Sequence, residues 1–256
     1  MIAIMIAGAV ATLVSLFGTR FLIIFFQARG QGQPILVEDD KTLGLEHHMP
    51  KQGTPTMGGL AIVGAALVGW IAAHVRDLPF SDQAMIVWVG VLAMAARGLA
   101  DDWIKVRKRH NRGIFWKQKN YITMLMSIGM AWWLVSSTGI SETISLTRAG
   151  DLGFEVPQFV WVLWAGMLIW ATTNAVNVTD GLDGLAGGSA LMGFGAFMII
   201  GYWALRTPEI YEVVNPLDMG VFAAAFGGAC LGFLWWNAAP ARIFMGDVGA
   251  LGLGSA

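Results

Sequence analysis

Seven long apolar runs, each bounded by charged or Gly/Pro-containing segments, constrain this chain more than any other feature. They cover roughly residues 2–26, 57–75, 84–100, 121–138, 158–178, 185–205 and 218–236. A helix needs about 20 mostly apolar residues to cross a bilayer. Composition agrees: 56% of the 256 residues are hydrophobic and only 13% are charged, against roughly a quarter charged in soluble domains. A soluble core of this size could not hide so much apolar surface, so part of the solvent must be lipid. An eighth run begins near Val248, and the chain stops at Ala256 inside it. The sequence therefore predicts an all-α polytopic membrane protein with about seven complete transmembrane helices and the start of an eighth. It reads as one transmembrane domain, 1–256, truncated at its C-terminus. The first run is too long for a signal-peptide core and no small-residue cleavage site follows it, so it is a retained span. The single cysteine, Cys230, excludes an internal disulfide and reads as a small packing residue.

The basic residues orient the bundle. The segment 101–120 carries Lys105, Arg107, Lys108, Arg109, Arg112, Lys117 and Lys119, and the connections on its side add Arg29, Lys41, Lys51 and Arg242. The opposite connections hold only Arg76, Arg148 and Arg206. The positive-inside rule makes the 101–120 side cytoplasmic, together with 27–56, 179–184 and 237–247, and starts Met1 outside. Between 139 and 157, Ile144 and Leu146, then Gly150-Asp151, then Leu152, Phe154 and Val156 alternate as a short extracytoplasmic hairpin would. The net charge of −1 gives no sign of a nucleic-acid partner.

Acidic residues within spans are costly, and the notable ones collect at one set of ends. Asp101 and Asp102 close the third run, Asp180 and Asp183 the fifth, and Asp247 opens the eighth. Adjacent residues point about 100° apart on a helix, so Asp101 and Asp102 are expected to do different jobs. Asp180 and Asp183 share a face if their segment is helical, and Asn174 and Asn177 lie just inside the membrane from them. Carboxylates gathered at a dehydrated edge repel unless a cation sits among them. Hard oxygen ligands without His or Cys favour Mg²⁺ or Mn²⁺. The basic 105–119 segment suits a polyanionic substrate, although basic cytoplasmic loops are ordinary. Adjacent His47 and His48 point apart in either a helix or a strand, which argues against a shared metal.

Four segments carry a resemblance. They are Lys51-Gln-Gly-Thr-Pro-Thr-Met-Gly-Gly59, Gly98-Leu-Ala-Asp101-Asp102-Trp-Ile-Lys105, Asn174-Ala-Val-Asn177-Val-Thr-Asp180-Gly-Leu-Asp183-Gly-Leu-Ala186 and Phe244-Met-Gly-Asp247-Val-Gly. Together they resemble the signatures of the polyprenyl-phosphate N-acetylhexosamine-1-phosphate transferases. Thr-Pro-Thr-Met-Gly-Gly is similar to the form typical of the phospho-N-acetylmuramoyl-pentapeptide transferase family. The resemblance runs from about residue 29 to 256.

It implies a ten-span homodimer of the bacterial cytoplasmic (inner) membrane, with both termini outside and a catalytic site on the cytoplasmic face. The implied reaction moves phospho-MurNAc-pentapeptide from UDP-MurNAc-pentapeptide to undecaprenyl phosphate, with Mg²⁺, giving lipid I and UMP. Residue by residue, Asp247 matches the Mg²⁺ ligand, and Asp101 and Asp102 match the essential acidic pair. Asp180, Asp183, Asn177, Asn237 and Lys51 match catalytic or nucleotide-site positions, and Phe244 an aromatic that stacks on uracil. Lys105 and Lys117 match basic positions beside the site. Arg109 stands where the family has a lysine, which keeps the charge and changes the donor geometry. The family's last cytoplasmic loop, with its histidine cluster, is not in this sequence, so the chain as written is expected to lack part of the site.

Asp101 is the residue expected to accept a proton from undecaprenyl phosphate. A phosphate monoester has a second pKa near 6 and is largely ionised already. A two-step route through an aspartyl nucleophile is the other course. Two further functions compete. A sister transferase moving GlcNAc-1-phosphate to the same lipid shares the aspartate motifs but usually not Thr-Pro-Thr-Met-Gly-Gly. A transporter with an acidic ion site would carry its acids near mid-membrane.

Overall fold

The computed structural model describes residues 1–29, 54–75, 78–108, 115–140, 142–145, 153–211 and 215–256. In order, the described elements are α1 (Ile2–Ala28), α2 (Gly59–His74), α3 (Asp82–Lys108) and α4 (Trp116–Thr138). Strands β1 (Thr143–Ser145) and β2 (Gly153–Glu155) follow. Then come α5 (Gln158–Thr179), α6 (Leu185–Arg206), the short α7 (Pro208–Tyr211), α8 (Pro216–Asn237) and α9 (Gly246–Ser255). The protein is an all-α polytopic membrane protein. Helices α1, α3, α5, α6 and α8 are each long and apolar enough to span a bilayer. The expected span 57–75 is a shorter apolar helix of 16 residues, α2. The expected span 121–138 falls within the 23-residue α4, whose Trp, Ser and Thr content lowers its hydropathy.

Helix α1 shows how such a helix is built. Ile4, Ala7, Ala11, Ser15, Thr19, Ile23 and Phe26 face inward at spacings of three and four. Ile2, Met5, Leu13, Phe17, Phe21 and Ile24 point out, each more than half exposed. Large apolar residues outside and a run of small ones, Ala7, Ala11, Ser15 and Thr19, on the inner face suit close helix packing in lipid. The inward stripe packs on α8, which is the most buried span and also contacts α2 and α6. Ser15 Oγ donates to the Ala229 carbonyl at 2.7 Å and Trp236 Nε1 to the Leu16 carbonyl at 2.8 Å, fixing the register. Cys230 is buried in this core. Pro216 starts α8 where no intrahelical N–H is needed.

The hairpin is present: β1 and β2 are antiparallel with Ile144 opposite Phe154. Its turn, with Leu146, Gly150, Asp151 and Leu152, lies outside the described residues. The short α9 packs against α2, α3 and α5 and is buried along most of its length. Its N-terminus therefore arrives where the C-terminal parts of α3 and α5 end.

Candidate active site

The sequence expects Asp101 and Asp102 to close a span. Instead α3 continues through them to Lys108, so both acids lie inside a helix, two turns before its end. The reason is local: Lys105 sits three and four residues on, and its ammonium reaches both carboxylates, Asp101 Oδ2 at 2.8 Å and Asp102 Oδ1 at 3.4 Å. The two acids are 0% and 3% exposed.

Asp247 is delivered to them by a loop with fixed geometry. Asn237, at the end of α8, donates from Nδ2 to the Ile243 carbonyl at 2.9 Å and accepts the Gly184 N–H at 3.1 Å on Oδ1. The Ala241 N–H donates to Asp183 Oδ2 at 3.2 Å. The segment after Thr54 pairs with the same loop: Phe244 N–H donates to the Pro55 carbonyl, Gly58 N–H to Phe244 and Gly59 N–H to Met245, at 2.8, 2.9 and 2.9 Å. Gly246 then turns the chain with φ of +74°, where an added Cβ would meet Asp102 Oδ2 and Thr56 Oγ1. Gly98 on α3 makes room for the backbone carbonyl of Asp247. Both positions exclude a side chain so that α9 can start against α3.

At that start the two neighbouring acids diverge, as their angular offset predicts. Asp102 Oδ2 accepts the Val248 N–H at 3.2 Å, so it neutralises the exposed donors and positive end of α9. Asp101 turns toward α4, where Lys119 Nζ hydrogen-bonds its Oδ2. Lys119 and Lys105 also bind Asp247 Oδ2, at 3.2 and 3.0 Å. One carboxylate oxygen from each of Asp101, Asp102 and Asp247 lies within 4.8 Å of the others, a spacing one ion could bridge.

Asp180 adjoins this triad. It caps the C-terminus of α5 and accepts a hydrogen bond from the Gly246 backbone. Burial, and next the charge of Asp247, push its carboxyl up to about 7 from 3.8, against the effect of that bond. Asp180 and Asp183 do not share a helical face, because residues 181–184 form a turn between α5 and α6. Asp183 instead holds the 240s loop. With all four acids ionised, Asp101, Asp102, Asp180 and Asp247 stand against two ammoniums, Lys105 and Lys119. Even with the nearby Arg97 counted, the acids outnumber the cations, and that excess and the all-oxygen donor set fit one hard divalent cation.

The remaining expected residues sort clearly. Asn237 is a buried strut between two loops. Phe244 is half-buried on the loop leading to Asp247, and Asn177 is exposed on the last turn of α5. Lys117 is exposed, with its ammonium 5.6 Å from the Trp116 ring centre. Lys51, His47 and His48 lie outside the described residues. The lysine that α4 brings to the acids is Lys119, which the sequence reading did not single out. A signal was available: Lys119, Thr123 and Ser127 recur every four residues, and the two hydroxyl residues are 2% and 0% exposed. That is an inward polar stripe on one face of α4, and Lys117 lies off it.

Comparison with known proteins agrees with this geometry. The family model described as glycosyl transferase family 4 matches residues 84–256, and phospho-N-acetylmuramoyl-pentapeptide-transferase signature 1 matches residues 51–63. A phospho-N-acetylmuramoyl-pentapeptide-transferase of Frankia alni is 41% identical over 270 residues, covering 99% of this chain and 74% of the relative. Proteins of the same name from a Nocardioides species and from Mycobacteroides abscessus are each 41% identical, over 275 and 271 residues. They cover 99% and 98% of this chain and 73% of each relative.

Proposed function

The chain belongs to the phospho-N-acetylmuramoyl-pentapeptide transferases within glycosyl transferase family 4, and on that premise we propose that it makes lipid I. It transfers phospho-MurNAc-pentapeptide from its UDP carrier to undecaprenyl phosphate and releases UMP. The observation that carries the reading is the convergence of Asp101, Asp102, Asp180 and Asp247, from three separate helices, around two lysines. The match of residues 51–63 to the family signature supports MurNAc-pentapeptide over GlcNAc as the sugar.

In the reaction, an oxygen of the lipid phosphate attacks the β-phosphorus of the UDP-sugar. The bond from that phosphorus to the UMP oxygen breaks, and the phosphoryl sugar leaves joined to the lipid by a new diphosphate. Two anions must meet, so charge neutralisation is the main requirement. Asp247, with Asp101 and Asp102 beside it, would hold Mg²⁺, which supplies positive charge to the diphosphate and the departing UMP. Lys105 and Lys119 each bridge Asp101 to Asp247, and so keep these carboxylates together and add positive charge where phosphates gather. Asp102 fixes the start of α9 and with it the placement of Asp247. Asp101 is buried and ion-paired with Lys105 and Lys119, and the lipid phosphate is largely ionised near neutrality. The direct route then requires no proton acceptor. Phe244 and Asn177, three residues before Asp247 and Asp180, suit the nucleotide. Lys51 and Lys117 are proposed as further phosphate contacts on the strength of the family resemblance alone.

Basic residues at the same ends as the acids support a cytoplasmic site in the bacterial inner membrane. Family resemblance carries the homodimer. The test is UMP release with UDP-MurNAc-pentapeptide and undecaprenyl phosphate, with and without Mg²⁺, beside UDP-GlcNAc as competitor substrate. Metal-dependent release with the first sugar only is expected. Release with UDP-GlcNAc alone would transfer the protein to the sister reaction.

A further inference from the structure

Four residues before Asp101, and so about 6 Å deeper along α3, lies Arg97. Its Nε and Nη2 atoms are buried and neither has a hydrogen-bond partner. A guanidinium inside a span is among the costlier groups to place there, and a buried charged donor left without an acceptor adds to that cost. Such a residue usually marks a ligand or a missing partner. The nearby acids do not fill the role. Asp101 and Asp247 act on Arg97 electrostatically, but their hydrogen bonds go to Lys105 and Lys119, and that of Asp102 goes also to the Val248 N–H. Arg97, Asp101 and Lys105 thus form a ladder on one face of α3, cation, carboxylate, cation. The outer cation is committed to the carboxylates and the inner one is not.

We propose that Arg97 binds the phosphate head of the lipid acceptor, meeting it on the membrane side of the carboxylate cluster. The inference rests on the transferase reading above and adds to it a residue with a defined partner. Its physical basis is depth. A water-soluble nucleotide sugar reaches the carboxylates from the aqueous end, where Lys105 and Lys119 stand. A phosphate tethered to an isoprenoid chain comes from the bilayer, toward which the deeper part of α3 presents apolar side chains such as Val89 and Leu92. A planar guanidinium can give two parallel N–H donors to one phosphate, and Nε and Nη2 are the pair that forms such a fork. In a site of low dielectric that contact also selects phosphate over the uncharged alcohol of the same lipid.

The experiment measures binding, so it is independent of turnover. The purified protein in detergent is titrated with a polyprenyl phosphate and, separately, with the matching polyprenol and with UDP. Wild type should prefer the phosphate over the alcohol. Arg97→Gln should weaken phosphate binding by about 10-fold or more, the range for a hydrogen bond to a charged group, and leave polyprenol and UDP binding within about 2-fold. Arg97→Lys, which keeps the charge and the fold but lacks the fork, should show an intermediate loss. Unchanged phosphate preference in either variant overturns the assignment. So does an equal loss of UDP binding, which would make Arg97 a general counter-charge. A wild type that does not distinguish phosphate from alcohol removes this inference and the proposed acceptor together. Intact discrimination in Arg97→Gln removes this inference alone.

Discussion

The bundle has a buried carboxylate system at each end, and the two are built on opposite plans. At one end, between α2, α3 and α8, a single acid is surrounded by donors. Asp218 is 2% exposed. Its Oδ1 accepts Trp70 Nε1 at 2.7 Å, and its Oδ2 accepts the Ser81 N–H at 2.9 Å and the Ser81 hydroxyl at 2.6 Å. His74 Nε2 stands 3.2 Å away, not aligned for a hydrogen bond, while its ring stacks on Phe80 at 4.2 Å. Ser81 also accepts the Ala84 N–H and so starts α3. At the other end, four acids share two lysines. One site meets a single acid with three hydrogen-bond donors, and the other has more negative charge than its cations can cancel. The first ties three helix ends together. The second suits a cation or a polyanionic substrate, as the proposed reaction requires.

The comparison predicts that the ends fail differently. Asp218→Ala strands the Trp70 and Ser81 donors in a buried site, and each buried donor left unsatisfied costs about 1–3 kcal/mol. Thermal denaturation in detergent should show a large loss of stability, with catalytic activity per folded molecule near wild type. A variant that stays stable but loses turnover would overturn the structural assignment. Asp247→Ala should do the reverse. It relieves repulsion and should leave the melting temperature unchanged or raised, yet lower turnover by about 10²–10³-fold, the usual cost of losing one transition-state contact. If turnover survives, the converging acids are not the reaction centre.

Metal binding sharpens the same contrast at lower amplitude. Mg²⁺ or Mn²⁺ at 100 times its dissociation constant should stabilise wild type by about 2.7 kcal/mol. Asp218→Ala should gain as much as wild type, and Asp247→Ala little or nothing. Equal gains in all three would place the ion elsewhere.

How much of this was legible in the sequence differs between the two ends. Helix positions were readable because apolar runs report lipid contact directly, and α1, α5, α6 and α8 fall within a few residues of their expected spans. The candidate acids stood out because they collect where apolar runs give way to polar segments, with Asp180 beside Gly181 and near Asn177 and Asp247 beside Gly246, although Asp101 and Asp102 turned out to lie within α3 rather than at its end. Asp218 was not distinguished from an ordinary helix-start acid, since its partners are Trp70 and Ser81, 148 and 137 residues away in sequence. Long-range pairing leaves no local pattern. Lys119 was missed for a different reason. Which of Lys117 and Lys119 turns inward depends on where α4 starts, and helix starts are the least certain part of a periodicity argument. Arg97 carried no motif at all; its interest lies in donors that the fold leaves without acceptors.

The smallest effect concerns pH, and it tests whether the acidic end is as crowded as it looks. Asp180 lies outside its span, at the cap of α5, and its carboxyl is raised to about 7 by burial and by Asp247. A carboxyl raised above its unfolded value of 3.8 keeps its proton in the folded state after the unfolded chain has lost it. Its contribution to stability is therefore complete below about pH 4 and disappears as pH rises through about 7. Metal-free protein should melt at progressively lower temperature across that window, and Asp180→Asn should flatten the slope. The change should be modest because Asp180 is partly solvent-exposed and water screens the repulsion from Asp247. Saturating divalent cation should flatten the slope in wild type as well, because an ion among the carboxylates favours their charged forms. A slope that persists with metal, or that is the same in Asp180→Asn, would mean Asp180 does not feel the cluster. The functional end would then reduce to the triad of Asp101, Asp102 and Asp247.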